Sequence, residues 1–141
     1  MILLLMSLKL FAPPATITQD NTFALYHRQW LINAFVHVES RGNWKAYNKQ
    51  EQAAGVIQIR PIMVRHINKI SMSNFTLSDR FDSVKSIAMF DSLMSKRNPE
   101  YNGDLACNLW NAGIKYPKKQ RVRNKVYKYK VKIMDKYLQL L

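Results

Sequence analysis

Apolar residues in the first third of the chain recur every three to four positions. Phe23, Trp30, Ala34 and Val38, with Ala24, Leu31 and Phe35 beside them, predict an amphipathic helix that ends near Glu39 or Ser40. The polar stretch 16–22 ahead of it offers Thr18, Asp20 and Asn21 as N-caps, and Gly42 is a natural left-handed stop. The period is lost over residues 43–54, which read as a loop. Pro61 suits the first position of a second helix running to about Ile70. After a polar turn, Asp79 or Asp82 is expected to cap a third helix. Its apolar face is read as Val84, Ile87, Ala88 and Met94, with Phe90 or Asp91 at the intervening turn, and Asn98-Pro99 closes it. Asp104 is read as the cap of a short helix from Leu105 to Asn111 that stops at Gly113. A basic linker with Lys115 and Pro117 leads to a final helix whose stripe is Val122, Val126, Tyr129, Ile133 and Tyr137. The pattern is helical throughout and contains no internal repeat.

Composition narrows this to one all-α domain, expected over residues 20–141. The chain has 141 residues and is 48% hydrophobic, enough for a real core and too apolar for a disordered chain. Four Gly and five Pro are few for a turn-rich all-β fold. Residues 1–15 form a short apolar run ended by Pro13-Pro14, too short to span a bilayer. It fits a signal-peptide core or a disordered tail equally well, and both readings stay open. The lone Cys107 excludes an intramolecular disulfide and reads as a small buried apolar residue. His27, His37 and His66 are scattered without metal-ligand spacing, and the four glycines form no phosphate-cradling loop, so neither metal nor cofactor is expected. A net charge of +13 calls for an anionic partner or surface but does not choose among them.

Candidate chemistry rests on three segments in a fixed order: Glu39-Ser40, Gly55-Val56-Ile57-Gln58-Ile59-Arg60-Pro61, and Leu109-Trp110-Asn111-Ala112-Gly113. Glu39 shares a helix face with Phe35 and Leu31, so its carboxyl emerges beside the apolar stripe. Such a setting raises a carboxyl pKa, which keeps a proton available for general acid chemistry near neutral pH. Glu51 falls in the loop and Glu100 follows Asn98-Pro99, so both read as ordinary solvated acids. Gly55 permits a close backbone approach, and Gln58 offers both donors and acceptors to a polar ligand.

Taken together, the three segments resemble the ES, GLMQ and AYNAG motifs of lytic transglycosylases with the goose-type lysozyme fold. The resemblance extends over roughly Phe23 to Tyr137 and implies an all-α, lysozyme-like single domain that cuts peptidoglycan glycan strands. It further implies Glu39 as the sole catalytic residue, first acid and then base, with Ser40, Gln58 and Asn111 in substrate binding. The family also has a Tyr on the last helix that hydrogen-bonds the catalytic Glu. Tyr127 fits that register best, with Tyr129 as the rival. Where the family has Gly after Glu-Ser this chain has Arg41, whose cation would oppose protonation of Glu39 unless it points outward.

The tail from Lys115 to Lys136 carries ten cations against one acid, Asp135, interleaved with Tyr116, Tyr127 and Tyr129. The favoured partners are peptidoglycan strands and anionic cell-envelope polymers rather than nucleic acid, and the chain is taken as a monomer. The setting is a cell envelope or periplasm, reached by the N-terminal segment or as a phage protein. Two other readings stay open. One is a hydrolytic lysozyme on the same fold. The other is a catalytically inactive basic helical protein that binds nucleic acid or envelope polymers.

Overall fold

The computed structural model describes residues 19–113 and 116–141. The predicted N-terminal segment 1–15, the cap Thr18 and the linker residue Lys115 lie outside the described residues. Five α-helices are ordered α1 (Gln19–Ser40), α2 (Pro61–Ser71), α3 (Ser83–Arg97), α4 (Gly103–Cys107) and α5 (Gln120–Leu140). Between α1 and α2 the predicted loop contains a two-residue antiparallel ladder, β1 (Tyr47–Asn48) and β2 (Ala53–Ala54), with Tyr47 opposite Ala54. The architecture is all-α, with α5 laid along α1 and α3 against α2. No helix among the described residues is long and apolar enough to cross a membrane.

The core forms where the apolar stripes meet. Leu31, Ile32, Ala34 and Phe35 of α1, Met63, Val64 and Ile67 of α2, and Met89, Phe90, Leu93 and Met94 of α3 are all buried. Phe35, Phe90 and Trp110 make a ring cluster, with centroids 5.0 Å apart for Phe35–Phe90 and 4.9 Å for Phe90–Trp110. Each such pair adds about 0.5–1.5 kcal/mol beyond its burial. That cluster ties α1, α3 and the segment that follows α4 beneath the site described below.

Three expectations are corrected and two alternatives resolved. Helix α1 begins at Gln19, so Asp20 and Asn21 lie inside it rather than capping it. On α3, Val84 is exposed and the buried face runs through Ser86, Met89, Phe90, Leu93 and Met94. Asp91 is the polar flank of that face, because it is held by Arg28 and by the Tyr101 hydroxyl. Asp82, not Asp79, caps α3, accepting from the Lys85 backbone N–H. Asn102, not Asp104, caps α4, because its side chain accepts from Leu105 N–H at 3.0 Å. The helix then widens into a π-type turn over Asn108–Ala112 before Gly113 stops it with φ 72°. Asp104 instead pairs with Lys130 of α5 at 2.6 Å.

Helix α1 stops through two consecutive left-handed residues, Arg41 (φ 56°) and Gly42 (φ 83°). A side chain in that region costs about 1–2 kcal/mol, against which glycine's extra unfolded-state freedom costs about 0.5–1 kcal/mol. Arg41→Gly should therefore raise stability by roughly 0.5–1 kcal/mol, read as a higher urea midpoint at unchanged slope.

Candidate active site

Glu39 stands in the last turn of α1, one turn above Phe35 and two above Leu31, both buried. The Phe35 ring also meets Tyr129 of α5 edge-on, with centroids 6.0 Å apart. The floor under the carboxyl is thus apolar on both helices. From above, the Tyr129 hydroxyl donates a hydrogen bond to Glu39 Oε1. Glu39 opens into a cleft of about 270 Å³ whose other polar walls are Asn48, Glu51, Gln58, Arg60, Asn111, Lys125 and Lys132.

Backbone carbonyls hold the three sequence segments together. Ser40 Oγ donates to Val56 O at 2.7 Å, fastening the end of α1 to the Gly55 turn. Trp110 Nε1 donates to the next carbonyl, Ile57 O, at 3.2 Å. Arg60 returns the tie, with Nη2 donating to Trp110 O and Asn111 O, each at 3.3 Å. Within the turn, Ala54 and Ile59 exchange backbone hydrogen bonds of 3.1 and 2.9 Å, and Gly55 N–H reaches Ala46 O at 2.9 Å. Gln58, with φ 51°, donates through Nε2 to Gly55 O at 3.0 Å and Ala46 O at 3.2 Å. Both amide hydrogens are used inside the loop, and no hydrogen bond to Oε1 is seen among the described residues. The order Glu-Ser, Gly-x-x-Gln, Trp-Asn therefore reflects a network in which each segment supplies a partner for the next.

Electrostatics favour a proton on Glu39. Burial raises its carboxyl to about 7, against the lowering effect of the Tyr129 hydrogen bond. Of the two charges acting on it, Glu51 pushes the pKa up and Arg60 pushes it down. The Tyr129 hydroxyl is itself held far above its ordinary value, first by burial and then by the nearby Glu39 charge, so it stays a donor. Burial also pushes the Cys107 thiol up to about 12, which leaves it an uncharged core residue. Among the described residues no group of three or more His, Cys, Asp or Glu side chains is placed to hold a metal ion.

The candidates read from the sequence fare differently. Glu39, Gln58 and Asn111 share the cleft. Ser40 is not among the residues that line it, and its hydroxyl donates to the Val56 carbonyl and so fixes the turn. Tyr127 is 66% exposed, and Tyr129 makes the bond to Glu39, so the rival register is the one observed. The two residues lie about 200° apart around a helix and cannot share a face. The predicted stripe on α5 already included Tyr129, and a tyrosine that reaches a half-buried acid must sit on such a stripe. Glu51 is not an isolated solvated acid: it lines the cleft and approaches Lys125 Nζ at 3.9 Å. The cation that acts on Glu39 is Arg60, while Arg41 is exposed at the left-handed stop. Lys125 and Lys132 had no sequence signal beyond their charge, while Arg60 and Trp110 stood inside the motif segments with no role assigned to them.

With this geometry in place, comparison with known proteins gives one positive result. A protein-family model described as Transglycosylase SLT domain matches residues 19–133. No curated protein matches, and no solved structure does.

Proposed function

The chain belongs to the transglycosylase SLT domain family, whose activity is peptidoglycan cleavage, and from that premise we propose a non-hydrolytic cut with Glu39 as the single acid and base. The bond cut is the β-1,4 link between N-acetylmuramic acid and N-acetylglucosamine. Glu39 gives its proton to the glycosidic oxygen as the C1–O bond breaks, and the substrate's own N-acetyl oxygen stabilises the cationic C1. The Glu39 carboxylate then takes the proton of the C6 hydroxyl, whose oxygen closes on C1 to give a 1,6-anhydro sugar. Glu39 ends protonated again, and no water is consumed.

One observation carries this reading: a carboxyl with its pKa raised to about 7 by an apolar floor, opening into the same cleft as Gln58 and Asn111. A group poised near neutrality can both give and take a proton. The two half-reactions ask for both directions.

A second reading is favoured by Glu51, which brings another carboxylate into the cleft. A second carboxylate is what a hydrolytic glycosidase uses to activate water. Digestion of purified peptidoglycan followed by mass analysis of the muropeptides separates the two. Anhydro products, lighter by one water, support the lyase, and reducing-end products support the hydrolase. Absence of either product would leave the binding-protein reading.

Tyr129→Phe removes the hydroxyl that stabilises the ionised form of Glu39, so the Glu39 pKa should rise above about 7. The alkaline limb of the kcat/KM profile should move upward, while maximal activity falls because the carboxyl loses its orienting donor. Tyr127→Phe, on the exposed face, should leave the profile where it is.

A further inference from the structure

Lys125, Tyr129 and Lys132 project from one strip of α5 into the cleft. At 3.6 residues per turn, residues 125 and 132 differ by only about 20° around the helix and by roughly 10 Å along it. Tyr129, which holds Glu39, stands between them. A lysine therefore flanks the reacting carboxyl on either side along the helix axis, over a span comparable to two consecutive pyranose rings.

Neither lysine is neutralised in a way that explains its position. Lys125 meets Glu51 only at 3.9 Å, with both side chains largely exposed, a pairing that contributes little. Lys132 has no acidic partner among the described residues. Neither appears among the charges that act on Glu39, whose neighbours in that respect are Glu51 and Arg60. Both ammonium groups are thus available to a ligand in the cleft.

Resting on the transglycosylase reading above, we propose that Lys125 and Lys132 select glycan strands that bear carboxylates on alternate sugars. Muramic residues recur at every second ring, and each carries a lactyl group that ends either in a free carboxylate or in a peptide with carboxylates of its own. Two cations spaced by about two rings match that repeat, and a neutral N-acetylglucosamine polymer offers them nothing. Two exposed ion pairs together are worth about 1–1.4 kcal/mol, which is roughly fivefold to tenfold in affinity.

The test measures binding separately from cleavage. Co-sedimentation of the Glu39→Gln protein with insoluble strands gives Kd on three forms: peptide-bearing strands, amidase-stripped strands with free lactyl carboxylates, and peptide-bearing strands whose carboxylates have been converted to carboxamides. Binding to at least one carboxylate form should exceed binding to the carboxamide form about fivefold to tenfold, and the form that binds tighter identifies lactyl or peptide carboxylate as the partner. Adding Lys125→Gln and Lys132→Gln together should bring the ratio towards one, as should raising the salt. Equal binding to all three forms, or a ratio that survives loss of both lysines, overturns the inference. Failure of the wild-type protein to release muropeptides in a parallel digest would instead count against the transglycosylase reading and leave the binding ratio standing.

Discussion

Glu39→Gln should lower peptidoglycan cleavage by about a thousandfold or more while making the protein more stable above neutral pH. General acid–base catalysis by one group is worth about 10²–10⁴, and this group acts in both half-reactions. Gln has the same shape and still accepts the Tyr129 hydrogen bond, so the fold is retained. The stability gain follows from linkage. The folded carboxyl titrates near 7 and the unfolded one near 4.5, so between those values the unfolded chain releases its proton first. The contribution of Glu39 to stability is greatest below about pH 4.5 and falls as pH rises through 7, by at most about 3 kcal/mol. The Glu39→Gln variant escapes that cost. Urea melts should therefore diverge at pH 8, with the variant more stable, and nearly coincide at pH 4. Unchanged muropeptide release would remove Glu39 from the mechanism. Superimposable melts at both pH values would mean that burial does not raise its pKa.

The helices were legible because their burial is one-sided. Leu31, Ala34 and Phe35 repeat at the spacing of a helix face, and that face is the core in the structure. Less legible was α3, where Val84 invited the wrong face. A helix packed on two sides buries small and polar residues such as Ser86, whose hydroxyl donates to the Arg80 carbonyl at 2.6 Å. Hydropathy does not report a serine buried for its hydrogen bond. The caps were hard to place for a related reason: Asp79 and Asp82 are the same residue type, and Asn102, which was not considered beside Asp104, caps as well as Asp does, so only the backbone geometry separates them.

At the site, the sequence disclosed the segments but not the bonds between them. Ser40 was read as a ligand for sugar, and it serves a carbonyl of the Gly55 turn. Trp110 was given no role of its own, and its N–H fixes the adjacent Ile57 carbonyl. Donors that satisfy backbone groups leave no periodic trace, since the partner carbonyl belongs to every residue type. Glu51 illustrates the converse. Its loop position marked it as solvated, which it is, yet the β1–β2 ladder carries it to the wall of the cleft.

Gly55→Ala should abolish folding or cost more than about 4 kcal/mol, far beyond an ordinary left-handed glycine. A Cβ at residue 55 would lie 1.6 Å from the Arg80 carbonyl oxygen and 2.8 Å from its carbon, on a backbone with φ 79°. Arg80 cannot retreat. Its carbonyl is held by the buried Ser86 hydroxyl, and its guanidinium donates to Leu77 O at 2.8 Å, Gln52 O at 2.7 Å and Ile59 O at 3.1 Å. Moving that backbone would disturb the donors to three carbonyls, one of them, Ile59 O, in the segment that carries Gln58. Gly113 is the internal control, since it too is left-handed, at φ 72°, but a methyl group there would meet nothing within 4 Å. Gly113→Ala should cost only the conformational penalty of about 1–2 kcal/mol. Urea denaturation of the two variants side by side reads the difference, and equal losses would show that the Arg80 carbonyl is free to yield. The expected inequality assigns Gly55 a role that left-handed geometry alone does not explain: it lets the Arg80 backbone pass against the turn, and the turn in turn holds Gln58 at the cleft.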